Sequence, residues 1–351
     1  MNVIWYAIAV LALTAYVVLD GYDLGAGALH WHVARGDAER RQVLAAIGPY
    51  WDANEVWLIV SGGVLFVGFP RVLSAGVSGF YFAIFLLIWC LILRGISIEF
   101  RNHVSDPVWK TAWDFFFWLP SLLLPVFFGA ALGNLLRGVP LSPDGWFELS
   151  LFTDFSAREP VGILDWYTIL VGLFALAALV AHGAAFLAWK TSGPVQERSR
   201  RAGIRFFAAV AVAWPLVTIA TARVNPTFSA SLAERPLAWL LGGGALAGWI
   251  AAFALLRRGR DRAAFLGSCV FLAGLSMATA ACVFPDMLRS ISDPSRSMTA
   301  YNAAGDLSGL KTALRWFAVG FPLAVVYFAV TFWLHRGKVE TPGGAEGEAR
   351  G

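Results

Sequence analysis

Long apolar segments recur along this chain of 351 residues and limit its possible folds more than any other feature. A helix needs about 20 apolar residues to cross the hydrocarbon core of a bilayer. Segments that qualify lie at 4–29, 48–69, 74–98, 112–133, 162–189, 203–223, 236–256, 262–285 and 311–334. The sequence therefore predicts an all-α integral membrane protein with about nine transmembrane helices.

The composition agrees with this class and excludes others. Hydrophobic residues make up 58% of the chain and charged residues 14%, whereas a soluble domain carries about 25% charge. The net charge of +4 comes from short basic clusters between apolar runs rather than from a basic domain, which argues against nucleic-acid binding. The three cysteines lie inside apolar segments without C-x-x-C spacing, so neither a disulfide framework nor a metal site is expected.

The spacing of the apolar segments suggests how the chain is divided. Two long connections, 134–161 and 286–310, separate them. This predicts a first four-helix unit over 4–133, a second over 162–285, and a ninth helix over 311–334. All three belong to one membrane domain.

Basic residues predict the orientation of the chain in the membrane. With the N-terminus outside, about two thirds of the Lys and Arg residues fall in the inner connections, as the positive-inside rule requires. The C-terminus is then cytoplasmic. Its last residues, 335–351, are rich in Gly and polar groups and are predicted to be disordered.

The first apolar segment carries a pair of carboxylates near its inner end. Tyr16, Asp20 and Asp23 share one helical face, and Gly21 and Gly25 form an adjacent stripe of small residues that lets another helix approach closely. The two acids suit proton exchange, because close carboxylates raise one pKa. The alternative is that each Asp caps a helix or pairs with an arginine.

The second apolar segment opens with acids inside the run Gly48–Leu58. Asp52 and Glu55 lie on one helical face, whereas Asn54 and Trp57 project from another. A charged group at membrane depth costs about 2.5–3.5 kcal/mol on insertion scales and is kept mostly for function. The pair is therefore a candidate entry point for cytosolic protons, the alternative being a first turn that the helix dipole stabilises.

The other polar residues are interpreted as structural rather than functional. Arg94, Glu99 and Arg101 are interpreted as a solvated charged boundary, with Asp114 as a partner for Arg94. His182 lies well inside an apolar segment and is interpreted as a hydrogen-bonded residue at a helix interface rather than as a haem ligand.

Several of these motifs together resemble subunit II of the cytochrome bd-type quinol oxidases. The motifs that carry the resemblance are Asp20–Gly25, Gly48–Leu58, Gly79–Tyr81, Arg94–Gly95, Glu99–Arg101, Gly133–Pro140 and Phe284–Pro285. They span nearly the whole chain. Ala53 departs from the family, which usually has Gly there; this is a mild change in packing.

The resemblance implies two four-helix bundles and a peripheral helix, packed on a haem-bearing subunit I as a heterodimer in the bacterial cytoplasmic membrane. In that family the partner holds haems of the b type, and its haem d or all-b subtype stays open here. This chain itself would bind no cofactor or metal. The complex oxidises quinol at the outer face and reduces dioxygen to water with cytoplasmic protons, without pumping. Bound quinone and a small accessory subunit are left open.

The resemblance also assigns roles to five positions of this sequence. They are Asp52 in a proton route, Trp57 beside an apolar route for dioxygen, and Asp23, Arg94 and Asp114 in holding the haem-bearing assembly together. We add Glu55 and Asp20 as proton carriers from their helical faces. The rival interpretation is a proton-coupled secondary transporter; it would be favoured by matching broken helices in the two halves, and the sequence contains no convincing pair.

Overall fold

The computed structural model describes residues 1–340, which are mostly helical. In chain order the helices are α1 (Asn2–Ala28), α2 (His30–Val33), α3 (Asp37–Ile47), α4 (Trp51–Gly68), α5 (Pro70–Gly79), α6 (Tyr81–Phe100), α7 (Pro107–Arg137), α8 (Trp166–Lys190), α9 (Gly193–Val224), α10 (Pro226–Glu234), α11 (Pro236–Arg257), α12 (Asp261–Val283) and α13 (Leu307–Leu334).

Eight of these helices are long and apolar enough to cross a membrane: α1, α6, α7, α8, α9, α11, α12 and α13. Each lies on one of the apolar segments, so the prediction of a multi-pass, all-α membrane protein is confirmed. The remaining segment, 48–69, folds as α4, which has 18 residues and carries Asp52, Asn54 and Glu55 near its N-terminus. That α4 also crosses the membrane stays a prediction, as does the orientation of the termini.

Three short helices occupy connections that the sequence left without structure, and a fourth, α5, takes up the start of the predicted segment 74–98. The basic connection after α1 folds as α2 and α3, and α5 and α10 precede α6 and α11. These helices have 4 to 11 residues, too few for apolar periodicity to identify them.

A close crossing of α1 and α8 lies at the centre of the packing. A Cβ atom added to Gly25 would overlap the Leu179 carbonyl oxygen, and one added to Gly183 would overlap the backbone of Gly25. Around this crossing, α1 also packs against α4, α7 and α12. The predicted stripe of small residues is therefore confirmed as a helix contact.

We expect Gly25→Ala to destabilise the protein by about 1–3 kcal/mol, because the methyl group forces the two backbones apart. Gly243→Ala in α11 is the control, since its Cβ would meet no atom within 4 Å and alanine favours helix by up to about 1 kcal/mol. Thermal unfolding of the detergent-solubilised complex measures both. Equal midpoints for the two variants would argue against a tight crossing.

The two long connections pack together over the ends of α1 and α5. Within the second, β1 (Asp286–Leu288) pairs antiparallel with β2 (Met298–Thr299), a small sheet where the turn residues predicted irregular structure. An isolated bridge joins Val139 of the first connection to Ser290 of the second. Apolar side chains of both connections form one core cluster with Trp5.

The chain after α13 returns to the body of the protein. The backbone N–H of Val339 donates to the Lys190 carbonyl at 2.7 Å, and the Gln42 side-chain amide donates to the Val339 carbonyl at 2.7 Å. The predicted disorder of 335–351 therefore does not extend to residues 335–340, and its remainder lies outside the described residues.

Candidate functional site

Two carboxylates lie fully buried near the C-terminal end of α1. Asp20 and Asp23 are both 0% exposed, and their spacing of three residues puts them on one helical face. A buried carboxylate is costly unless it is paired and hydrogen-bonded. The partners of these two acids therefore define the site.

Arg94 of α6 joins Asp20 to Glu55 of α4. Its guanidinium donates to both Asp20 carboxylate oxygens, at 2.7 and 3.1 Å, and to Glu55 Oε1 at 2.9 Å. Arg94 is itself 0% exposed. One guanidinium thus ties three helices together in the bidentate geometry that favours arginine over lysine.

Asn54 holds the second buried acid. Its Nδ2 donates to Asp23 Oδ2 at 2.7 Å and also contacts the Tyr22 hydroxyl oxygen at 2.7 Å. Asp23 Oδ1 and Asn54 Oδ1 are buried without a hydrogen-bond partner in the described part of the chain. The site therefore contains three carboxyl groups, one guanidinium and two unsatisfied oxygens.

Asp52 lies apart from this buried cluster. It is in the first turn of α4, exposed, and within residues 1–340 its carboxylate forms neither a hydrogen bond nor an ion pair. It precedes Glu55 by three residues, so both acids lie on neighbouring turns of one face. That face continues to Ile59, which is 74% exposed, and to Gly62.

Trp57 lies on the opposite, buried face of α4. It clusters with Ala12 and Tyr16 of α1 and stands 6.0 Å from Phe328 and 6.3 Å from Phe321 of α13, measured between ring centroids. The predicted dioxygen-route residue is therefore packed in an apolar interface between three helices, separate from the ion-paired acids.

A second buried network surrounds Asp114 of α7. Its carboxylate accepts from His30 Nε2 at 2.7 Å, from Arg101 Nε at 2.5 Å and from Arg40 at 3.0 Å. The predicted Arg94–Asp114 pair is wrong, because Arg101 takes that place while Arg94 pairs with Asp20. The interpretation of Arg94 and Arg101 as a solvated boundary is also wrong, since both are at most 1% exposed. Glu99 alone is exposed.

Groups outside the membrane helices extend this network. Asp37 of α3 accepts from Arg101 at 2.9 Å and from Lys110 at 3.3 Å. Burial opposes ionisation of Asp37, but these hydrogen bonds outweigh it and lower its pKa. Burial lowers the pKa of His30 and outweighs the opposing effect of the hydrogen bond that His30 donates to Asp114.

His182 is bonded through both ring nitrogens. Nδ1 lies 2.7 Å from Ser268 Oγ and Nε2 lies 2.9 Å from the Val18 carbonyl oxygen. Its interpretation as a hydrogen-bonded residue at a helix interface is therefore confirmed. Among residues 1–340, no group of three His, Cys, Asp or Glu side chains could hold a metal ion.

One buried ion pair is not predicted by the sequence. Arg137, at the end of α7, pairs with Asp165, and both side chains are at most 1% exposed. Asp165 also caps α8 in a capping box with Thr168. The spacing of Asp165 and Thr168 was a usable capping signal, but nothing local indicates that Arg137, 28 residues earlier, reaches it.

The chain matches known families over nearly its full length. The family model described as cytochrome bd terminal oxidase subunit II matches residues 1–335. Cytochrome bd-I ubiquinol oxidase subunit 2 of Escherichia coli (strain K12) is 29% identical, with 97% of this chain and 95% of that protein covered. A probable cytochrome oxidase subunit 2 of Haemophilus influenzae is 27% identical, with 95% and 93% covered.

A solved structure has the same fold. A chain of the bd oxidase from Geobacillus thermodenitrificans superposes with a TM-score of 0.73 at 19% identity, covering 95% of this chain and 98% of that chain. At this identity the likeness concerns the arrangement of the helices alone.

Proposed function

Since this chain belongs to the cytochrome bd terminal oxidase subunit II family, we propose that it is the non-haem subunit of a complex that oxidises quinol and reduces dioxygen to water. In this proposal it supports a haem-bearing subunit I in the bacterial cytoplasmic membrane and conducts cytoplasmic protons towards that partner. The haems and the quinol-oxidising site belong to the partner. The N-terminus lies outside and the C-terminus inside.

The buried cluster of Asp20, Glu55 and Arg94 carries the proposal. Arg94 bonds to two of these carboxyl groups and its single positive charge neutralises only one, while Asp23 nearby is held by the Asn54 amide. Low-dielectric surroundings penalise the unpaired negative charge, so the cluster can take up and release a proton. A plain membrane anchor has no need of such a group.

The position of Asp52 supports an entry point for that proton. Asp52 lies one helical turn from Glu55 and has no partner among the described residues. On the same face, Ile59 is exposed and Gly62 has no atom near its missing Cβ. Lipid is a poor cover for a face that begins with a carboxylate, so we propose that subunit I covers it and receives the proton.

The surroundings of Trp57 support an apolar route for dioxygen along α4. Trp57 and its neighbours Ala12 and Tyr16 form a buried patch against the side of α13 that faces the other helices. Dioxygen is apolar and partitions into such interfaces rather than into the polar cluster. Asp23, Arg94 and Asp114, held in buried networks, are proposed to maintain the assembly.

The packing also supports two helical units. In the first set, α1 contacts α4 and α7, and α6 contacts α7. In the second set, α8 contacts α9 and α12, and α11 contacts α9 and α12, whereas α13 contacts the body mainly through α4. We propose that these sets are the first and second four-helix units, over 4–133 and 162–285. The ninth helix over 311–334 is then peripheral.

The proposal predicts a haem-containing complex that copurifies with this chain. A tag placed after residue 351 should recover quinol-dependent oxygen consumption and haem bands in the reduced-minus-oxidised spectrum.

His182→Gln should leave the haem content unchanged, because both nitrogens of His182 already bond within this chain and do not fit a haem ligand. A tagged chain that purifies without a haem protein, and transports a solute with protons in liposomes, would favour the transporter instead. Loss of one haem in His182→Gln would move a haem into this chain.

A further inference from the structure

A basic pocket lies between α2 and the first turns of α9, away from the cluster of Asp20, Glu55 and Arg94. Its volume is about 370 Å³, and it is lined by Trp31, His32, Arg35, Arg198, Arg201, Ala202 and Arg205. An ordinary solvated helix surface does not gather four arginines around one cavity of this size. Their arrangement indicates a ligand with concentrated negative charge.

The helical spacing of α9 places the arginines around one cavity. Arg198, Arg201 and Arg205 follow at i, i+3 and i+7, which is one face of a helix. The small, buried Ala202 lies between them and leaves the space into which the longer side chains converge. Arg35 closes the pocket from the segment that joins α2 to α3.

Acidic side chains do not neutralise the pocket. Glu39 pairs with Arg198 at 2.6 Å, and Glu197 lies 3.9 Å from Arg201. Within residues 1–340, neither Arg35 nor Arg205 forms an ion pair. Four guanidinium groups against two carboxylates leave an excess of positive charge, which an anionic ligand would balance.

Buried donors without acceptors point to the same conclusion. The Trp31 indole N–H and the Arg198 Nε are buried and find no acceptor among the described residues. Buried donors are nearly always satisfied, because an unpaired one destabilises the folded state. Both belong to the pocket lining, so a ligand with several acceptor oxygens would complete their bonding.

The aromatic residues beside the pocket indicate the source of the anion. Trp31 stacks on Trp118 with a centroid distance of 5.0 Å and stands 6.0 Å from Phe115, which is exposed. Trp side chains are enriched at the headgroup level of membranes. Basic pockets beside transmembrane helices at this level suit phosphate-bearing lipid headgroups.

We propose that this pocket binds the phosphate-bearing headgroup of an anionic phospholipid. Guanidinium groups bind phosphate through paired, charge-assisted hydrogen bonds, and the headgroup supplies the acceptors that Trp31 and Arg198 lack. The bound lipid holds α2 against α9 across the two helical units. This site is independent of the proton route, because none of its arginines contacts Asp20, Glu55 or Asp23.

Native mass spectrometry of the detergent-solubilised complex tests this proposal. The complex is titrated separately with dioleoyl-phosphatidylglycerol, with dioleoyl-phosphatidylcholine and with inorganic phosphate. The wild type should retain phosphatidylglycerol over phosphatidylcholine. Arg201→Gln combined with Arg205→Gln should weaken phosphatidylglycerol binding about 30-fold, since each arginine near the surface contributes about 1 kcal/mol.

A matched control combines Arg257→Gln with Arg258→Gln, which removes two exposed arginines from the end of α11 with the same change in charge. This control should bind like the wild type, and equal weakening in both double variants would overturn the proposal. Inorganic phosphate that binds as tightly as the lipid would overturn the lipid source. If the double variant fails to assemble, Arg35→Gln on the exposed connection should weaken binding alone, and unchanged binding there would contradict the site.

Discussion

Replacement of Arg94 by glutamine is expected to prevent accumulation of an intact complex in the membrane. Arg94 and Asp20 are both fully buried, and Glu55 shares the same guanidinium. Removing one member of a buried ion pair costs about 3–5 kcal/mol, because the remaining charge is left without compensation. That is a large fraction of the 5–15 kcal/mol that stabilises a typical folded protein.

Second-site changes test whether the charge itself causes this loss. Arg94→Gln combined with Asp20→Asn should recover part of the complex, since the neutral pair leaves no isolated carboxylate at that position. Arg94→Lys should be intermediate, because one ammonium group cannot reproduce a bidentate contact to Asp20 together with a contact to Glu55. Immunoblots of the membrane fraction and haem content per chain measure all three variants. Arg257→Gln, at an exposed helix end, is the control, and normal accumulation of Arg94→Gln would rule out a structural role for the cluster.

The sequence predicts the fold of this protein well because lipid imposes strong rules on each segment. A helix that crosses a bilayer must be about 20 residues long and apolar, so most predicted segments lie on one helix. The segment 74–98 is the exception, since it is divided between α5 and α6. The same 3.6-residue period correctly separates the buried Asn54 and Trp57 from the exposed Asp52 on α4. The small residues Gly21 and Gly25 likewise predict a close helix contact.

Pairing between helices is much harder to predict than the helices themselves. Arg94 lies in α6, and Arg101 directly follows the last residue of that helix. The two are seven residues apart, about two turns, so periodicity cannot decide which of them reaches Asp114. Which arginine reaches Asp114 depends on how far α6 and α7 are shifted along each other, and Arg101 makes the contact. The sequence predicts no functional role for Asn54 for a similar reason, because its bond to Asp23 depends on the rotation of α4 against α1.

Replacement of Asp52 by asparagine is expected to slow quinol-dependent oxygen consumption at least tenfold while leaving the haem spectrum unchanged. Asparagine keeps the size and hydrogen-bonding ability of the side chain but cannot take up a proton, and positioned proton-transfer groups contribute about 10²–10⁴-fold to a rate. Stability should change little, because Asp52 is exposed and without a partner in residues 1–340, and such substitutions stay within about 0.5 kcal/mol.

Glu55→Gln separates proton transfer from structure at the next position. Glu55 is both a proposed proton carrier and a partner of Arg94 at 2.9 Å, so this variant should lose turnover and also accumulate less complex. Glu99→Gln is the matched control, since Glu99 is exposed on α6 and belongs to neither buried network. Oxygen consumption with excess quinol, normalised to haem, distinguishes the cases. Unchanged turnover in Asp52→Asn would remove Asp52 from the proton route and leave the buried acids without an entry point on this face of α4.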